Sequence, residues 1–269
     1  MKIGIIGTGV MGVGISTVFL QNDFETIVFS RSKESAEKAE AKIKKNLEKA
    51  LGEKAGEAVK KLSTTNNLQD LMQCDFIIES IIEDFYEKRK LLSELKEFQG
   101  ILCTNTSSLS VSKLSEYANE KFVGMHFFNP AHKMKLVEIV AGDTTPTNVI
   151  NKTRELAEKI GKTPITVKDS PGFVVNRLLM PFLNEAILTL EDGVASREEI
   201  DSAAQLGLNH PMGPLKLLDL IGLDVFLAIM NSLFEQTSEE KFKPAELAVK
   251  MVSDGKLGIK TKQGFYSYE

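Results

Sequence analysis

Along the N-terminal part of the chain, short apolar runs alternate with polar segments whose few apolar residues recur at helical spacing. Lys2–Ile6, Glu25–Phe29, Phe76–Glu79, Ile101–Cys103 and Phe122–Phe127 are the predicted strands. Alternation of this kind implies a largely parallel sheet with helices on its faces. Ala36–Leu62, rich in Lys and Glu, reads as a solvated helix or helical hairpin standing off that sheet. Asn148–Ile160 is a predicted helix ending at Gly161, and Pro164–Lys168 a further strand. At Asp169-Ser170-Pro171-Gly172 the alternation stops. Beyond it the predicted elements are all helices: Val174–Glu191, Arg197–Leu206, Pro214–Phe234 and Lys243–Val252. The expected organisation is an α/β domain over residues 1–172 and a smaller all-helical domain over 173–269.

In Pro214–Phe234 the apolar residues surround the predicted helix instead of striping it, so it needs partners on most sides. A domain of that size supplies few, and a homodimer through the helical domain is expected.

Met125 to Pro130 and Leu136 to Val140 are two β-type runs joined by a connection too short for a crossover helix, so they should pair antiparallel. The short turn places His126 opposite Glu138. Cross-strand neighbours lie about 4.5–5.5 Å apart at Cβ, close enough for the carboxylate to fix the imidazole tautomer. Such a pair can act as a general acid/base; a core histidine satisfied by an edge glutamate is the structural alternative. The chain has three histidines. Of the other two, His210 reads as a turn residue before a helix, and His132 as solvated at the hairpin tip.

Gly7-Thr8-Gly9-Val10-Met11-Gly12 follows the first strand and opens a helix, which makes the glycine pattern specific. Gly7 allows the tight turn, Gly9 a close backbone approach to a pyrophosphate, and Gly12 close packing, while the helix N-terminus attracts negative charge. The sheet is therefore expected to be a Rossmann-type doubly wound sheet with antiparallel final strands, binding NADP or NAD. An acidic residue at the end of the second strand would bind the ribose hydroxyls and repel a 2′-phosphate. Ser30 stands there, followed by Arg31, whose forked cation suits a phosphate. That points to NADP(H); the alternative leaves Arg31 solvated and brings in Glu34.

With 269 residues and 42% hydrophobic content the chain is long enough for two cores. A net charge of -4 argues against a nucleic-acid partner. The chain enters a strand at Lys2, and no apolar run is long enough for a bilayer, so neither a signal peptide nor a membrane partner is expected, and the cytoplasm is the expected compartment. Cys74 and Cys103 lack metal spacing and read as core residues; no metal is expected.

With the turn, the His126–Glu138 pair and the helical second half in place, the sequence resembles the 3-hydroxyacyl-CoA dehydrogenase family, in particular its short bacterial members. The resemblance rests on residues 7–14, Asn105-Thr106-Ser107-Ser108-Leu109-Ser110, Met125 to Pro130, Met134 to Glu138, Pro171-Gly172-Phe173-Val174-Val175-Asn176-Arg177, Asn209 to Pro214 and Ile221-Gly222-Leu223-Asp224. It implies a nicotinamide-dependent oxidoreductase acting on a short-chain 3-hydroxyacyl-CoA, with His126 as base and Glu138 orienting it. Ser107 and Asn176 would hydrogen-bond the substrate, and Asn129 would support the pair. Val10, Met11 and Asn105 fall at the cofactor, Glu83 and Lys88 near its ribose and nicotinamide, and Lys49 or Lys54 at the phosphates of coenzyme A. Ser107 and Asn176 also admit a helix-capping role. Ser30-Arg31, Ala131-His132-Lys133, a missing first glycine before Gln263-Gly264 and a short excursion over Ala36 to Leu62 depart from the family pattern.

Tyr117 to Lys121 fits the Tyr-x-x-x-Lys of short-chain dehydrogenases, but the glycine spacing and the absence of a serine a dozen residues upstream exclude that class. A dehydrogenase of a free β-hydroxyacid, with a catalytic lysine in its helical domain, and a non-catalytic NAD(P)-binding protein remain as alternatives.

Overall fold

A computed structural model describes residues 1–269, which divide into two compact units, Met1–Phe173 and Val174–Glu269. The first is built on β1 (Lys2–Ile6), β2 (Glu25–Phe29), β3 (Leu62–Thr65), β4 (Phe76–Glu79), β5 (Ile101–Thr104), β6 (Phe122–Phe127), β7 (Leu136–Ala141) and β8 (Thr163–Lys168). They form one sheet in the order β3-β2-β1-β4-β5-β6-β7-β8. The first six strands run parallel; β7 is antiparallel to β6, and β8 parallel to β7. Strand order reverses between β1 and β4, and such a switch point opens a crevice at the carboxyl ends of the strands.

Six helices flank the sheet: α1 (Val10–Gln21), α2 (Lys33–Leu51), α3 (Ala55–Val59), α4 (Phe85–Glu94), α5 (Val111–Ser115) and α6 (Thr147–Lys159). Strand side chains alternate between two cores. Ile78 and Cys103 join α1, α2, α3 and α6 on one face, and Ile77 and Leu102 join α4 and α5 on the other. Three expectations are corrected here. The helix expected to stand off the sheet is docked: Ala36, Ala39, Ile43 and Leu47, at helical spacing, are buried, and three of them enter the α1 core. That segment also starts earlier, at Lys33, because Ser32 caps it by accepting from the Ser35 N–H. Its far end, Leu62, belongs to β3, an edge strand hidden in the sequence by its polar composition.

The β6–β7 register pairs His126 with Glu138 and Met125 with Ile139, as the short connection requires.

The second unit contains α7 (Val175–Glu191), α8 (Arg197–Gly207), α9 (Pro214–Ile221), α10 (Leu223–Thr237) and α11 (Glu246–Ser253). Ser196 and Glu199 form a reciprocal capping box at the start of α8. The single helix expected over Pro214–Phe234 is two, bent by 95° at Gly222, whose φ of 99° favours glycine. The all-round apolar pattern is thus two separate stripes: Leu215 and Leu218 in α9, and Leu223, Phe226, Met230 and Leu233 in α10. That break removes the pattern on which the homodimer expectation was built. Buried Asp219 accepts from Phe265 N, Tyr266 N and the Tyr268 hydroxyl, each at 2.9 Å, fastening the C-terminal segment. A Cβ at Gly264 would collide with that carboxylate, so the glycine retained in this motif is the one the packing requires. No single helix is long and apolar enough to cross a membrane.

Candidate functional site

The glycine turn lies at the carboxyl end of β1. Gly7 has φ 123°, and a Cβ there would come closer than 3.0 Å to the Ser80 carbonyl oxygen beyond β4; a Cβ at Gly12 would strike the Gly7 carbonyl. These two glycines are demanded by the protein's own packing. Gly9 is different, because a Cβ there would meet nothing within 4 Å. It caps α1 with extended backbone and no side-chain bond, leaving the helix N-terminus open. A glycine that the fold does not need, at an exposed helix start, suits the close approach of a pyrophosphate. Val10 is 74% exposed beside it, and Met11 is half-buried.

Ser30 is buried just after β2, its N–H donating to Thr65 O. Arg31 is exposed, but it is not free: its Nη2 lies 2.7 Å from Oε2 of Glu87 on α4. Glu34 pairs with Lys38 one turn further along α2.

At the carboxyl end of β6, His126 Nδ1 and Glu138 Oε2 are 2.7 Å apart, with side chains 5% and 0% exposed. An ionised carboxylate only accepts, so in the neutral imidazole Nδ1 carries the proton and Nε2 keeps its lone pair. The imidazole is flanked by the rings of Phe128 and Phe173, at 4.6 and 5.6 Å between centroids. Asn105, following β5, accepts from Phe127 N at 2.8 Å and thereby ties the end of β6 to the neighbouring strand. Asn129 is exposed, and no hydrogen bond joins its side chain to His126 or Glu138; the structure does not bring it into the pair.

Glu83 and Lys88 belong to one charged cluster beyond the end of β4. Lys88 is 1% exposed, with Nζ 2.6 Å from Oε1 of the fully buried Glu79 and 3.6 Å from Oε2 of Glu83. Glu83 Oε1 accepts from the Thr106 hydroxyl, Ser107 N, Ser108 N and the Ser108 hydroxyl at 2.7–3.0 Å. Burial works against ionisation of Glu83, but Lys88 and these donors outweigh it and hold its carboxyl below the usual range. Glu79 went unnoticed in the sequence; the available signal was a carboxylate closing a wholly apolar strand.

Neither suspected cap is one. Ser110 caps α5 by accepting from Lys113 N, and α7 follows Val174, with Asn176 buried inside its first turn. Lys49 and Lys54 are exposed, at the end of α2 and in the 3₁₀ turn after it. His132 is exposed, and His210 packs on Phe182 in the second unit. Cys74 and Cys103 are buried free thiols; burial pushes Cys74 up to about 11 and Cys103 further. No cluster of His, Cys, Asp and Glu is arranged to hold a metal ion.

Residues 2–170 match the family model for the 3-hydroxyacyl-CoA dehydrogenase NAD binding domain, and residues 172–268 that for its C-terminal domain. The chain is 46% identical to 3-hydroxybutyryl-CoA dehydrogenase of Clostridioides difficile, with 100% of this chain and 99% of that one covered. It is 43% identical to the probable 3-hydroxybutyryl-CoA dehydrogenase of Deinococcus radiodurans, both covered in full at 100%. Among solved structures, (S)-3-hydroxybutyryl-CoA dehydrogenase from Ralstonia eutropha superposes with a TM-score of 0.95 at 38% identity, covering 100% of this chain and 99% of that one. The chain belongs to the 3-hydroxyacyl-CoA dehydrogenase family of nicotinamide-dependent oxidoreductases.

Proposed function

We propose that the protein interconverts a short-chain 3-hydroxyacyl-CoA, with 3-hydroxybutyryl-CoA the first candidate, and the matching 3-oxoacyl-CoA. The observation that carries this reading is the 2.7 Å bond between His126 Nδ1 and Glu138 Oε2. A bound nicotinamide cofactor supplies the hydride acceptor or donor at C3. In oxidation His126 Nε2 takes the 3-hydroxyl proton as hydride leaves carbon; in reduction it returns that proton to the carbonyl oxygen. Glu138 holds the tautomer that makes Nε2 the acceptor and compensates the charge the ring acquires. Ser107 donates to the substrate oxygen, and Asn176, from the second unit, is assigned the same kind of role. An exact His–Glu pair of this kind favours acid/base chemistry over a catalytic lysine, and turnover of an acyl-CoA would exclude a non-catalytic role.

The cofactor reading is NADP(H). Ser30 offers no carboxylate to repel a 2′-phosphate, and Arg31 is held only by one exposed ion pair, which a doubly charged phosphate can displace. Lys49 and Lys54 are assigned to the phosphates of coenzyme A on their charge and exposure. A homodimer through the second unit is supported by its exposed Leu206, Leu208 and Leu220, at 88%, 62% and 56%, and a monomer in light scattering would reject it. Two buried free thiols suit a reducing compartment, and we place the protein in the cytoplasm.

Initial rates at 340 nm with acetoacetyl-CoA, run with NADPH and NADH in parallel, test both parts. Faster NADPH oxidation, reversed by Arg31→Asp, is the expected result. Faster NADH oxidation keeps the reaction and overturns the cofactor reading, and no oxidation of either overturns the reaction.

A further inference from the structure

Ser30 puts no carboxylate at the end of β2, yet one reaches the neighbouring Arg31 from α4. Glu87 Oε2 lies 2.7 Å from Arg31 Nη2, with side chains 39% and 69% exposed. The start of α4 leaves this carboxylate free for that contact. In a capping box the third residue of a helix reaches back to the N–H of the capping residue. Here Asp84 caps α4 by accepting from Glu87 N at 2.9 Å, but the Asp84 N–H itself donates to Ile82 O at 2.9 Å, so Glu87 has no return bond to make. The acids closer to Arg31 in sequence are directed along α2, Glu34 to Lys38 and Glu37 to Lys33. Glu87 is thus the counter-ion that the fold gives Arg31 across 56 residues.

A guanidinium donates through a planar fork to carboxylate and phosphate alike, so Glu87 and a cofactor 2′-phosphate compete for the same donors. A phosphate that wins them still lies beside the displaced carboxylate. We propose that Glu87 is a specificity-determining residue that restrains NADP(H) binding at Arg31, both as a competing partner for the guanidinium and as a like charge next to the 2′-phosphate. A cofactor without that phosphate brings no charge to this place and leaves the pair intact. Glu87 therefore narrows, without reversing, the preference that Ser30 and Arg31 create. The inference rests on the reading of Arg31 as the 2′-phosphate ligand.

The test is fluorescence titration of NADPH and NADH binding to wild type, Glu87→Gln, Arg31→Ala and the double variant, with melting temperatures measured alongside. Glu87→Gln keeps the length of the side chain and removes its charge. It should tighten NADPH binding about three- to tenfold, the scale of an exposed ion pair and one screened repulsion together, and change NADH binding less than about twofold. In the Arg31→Ala background the gain should shrink, because competition for the guanidinium is gone and repulsion alone remains. Unchanged NADPH affinity in Glu87→Gln overturns the proposal, as does equal tightening of both cofactors or a gain of the same size with and without Arg31. A purely structural Glu87, serving only as an acid in the first turn of α4, would lower the melting temperature of Glu87→Gln and leave the ratio of the two dissociation constants at its wild-type value, which also overturns it. If Arg31→Ala leaves NADPH affinity unchanged, the assignment of Arg31 fails and the proposal falls with it. If Arg31→Ala weakens NADPH binding while Glu87→Gln has no effect, that assignment stands and the role of Glu87 alone is rejected.

Discussion

The three glycines of the nucleotide turn should separate into two classes when each is replaced by alanine. Gly7→Ala combines a left-handed φ of 123° with a Cβ closer than 3.0 Å to the Ser80 carbonyl. Strained backbone costs about 1–3 kcal/mol, and overpacking against a group that cannot move adds about 1–3 kcal/mol. Gly12→Ala meets the Gly7 carbonyl, also backbone, at about 1–3 kcal/mol, offset by about 1 kcal/mol of helix propensity. Gly9→Ala has neither problem: its φ of -71° is open to alanine and no atom lies within 4 Å. Reduced freedom of the unfolded chain contributes about 0.4–1 kcal/mol, and loss of a tolerated N-cap glycine removes a similar amount, so its stability should stay within about 1 kcal/mol of wild type. Its nucleotide affinity should nonetheless fall, because the methyl group occupies the approach to the pyrophosphate. Urea unfolding followed by far-UV circular dichroism, since the chain has no Trp, gives the stabilities; NAD(P)H fluorescence titration gives the affinities. A Gly9→Ala protein that binds nucleotide like wild type, or that is as unstable as Gly7→Ala, would refute the distinction drawn between a glycine kept for the fold and one kept for the ligand.

Three further outcomes are expected. His126→Ala and Glu138→Gln should each lower kcat by about 10²–10⁴-fold, with fluorescence-detected cofactor binding unchanged; turnover near wild type in either removes the pair from the mechanism. Glu83 ionises below its ordinary value of 4.5 in the folded state, so its contribution to stability is complete above that pH and is lost as acidification carries it through the folded value. The stability difference between wild type and Glu83→Gln should therefore be flat from pH 7 to about 5 and shrink below 4.5 in urea titrations, and a difference that grows on acidification contradicts the sign. Asp219→Ala strands three donors of the C-terminal segment and should destabilise by on the order of 3 kcal/mol, read as a lower urea midpoint.

What the sequence disclosed depended on whether the deciding contacts were local. The His126–Glu138 register was legible because a connection of a few residues fixes antiparallel pairing and leaves little freedom of alignment. The strands of the parallel sheet were legible because burial on both faces makes them almost wholly apolar. β3 was not, since an edge strand of composition Leu62-Ser63-Thr64-Thr65 carries no such signal. Gly222 was visible in the sequence and still read through as helix, because apolar residues continue on both sides of it; only its positive φ separates α9 from α10. Punctuation by a single glycine inside an apolar run deserves more weight than the continuity of the run.

The charged residues of the site show the limit from the other side. Lys88 lies in Glu87-Lys88-Arg89-Lys90, which reads as a solvated helix face, yet Lys88 is 1% exposed while Arg89 and Lys90 face water. Nothing within one turn of sequence distinguishes them. The difference is made by Glu79 at the end of the adjacent strand, and Arg31 is likewise partnered by Glu87, 56 residues away. Both pairings cross from one element to another at the carboxyl ends of the strands, where the fold, and not the local pattern, decides which charge is exposed and which is buried. A charged residue counted at such a site is therefore a hypothesis about exposure before it is one about chemistry. Arg31 is exposed and paired only at the surface, whereas Lys88 is sealed between Glu79 and Glu83.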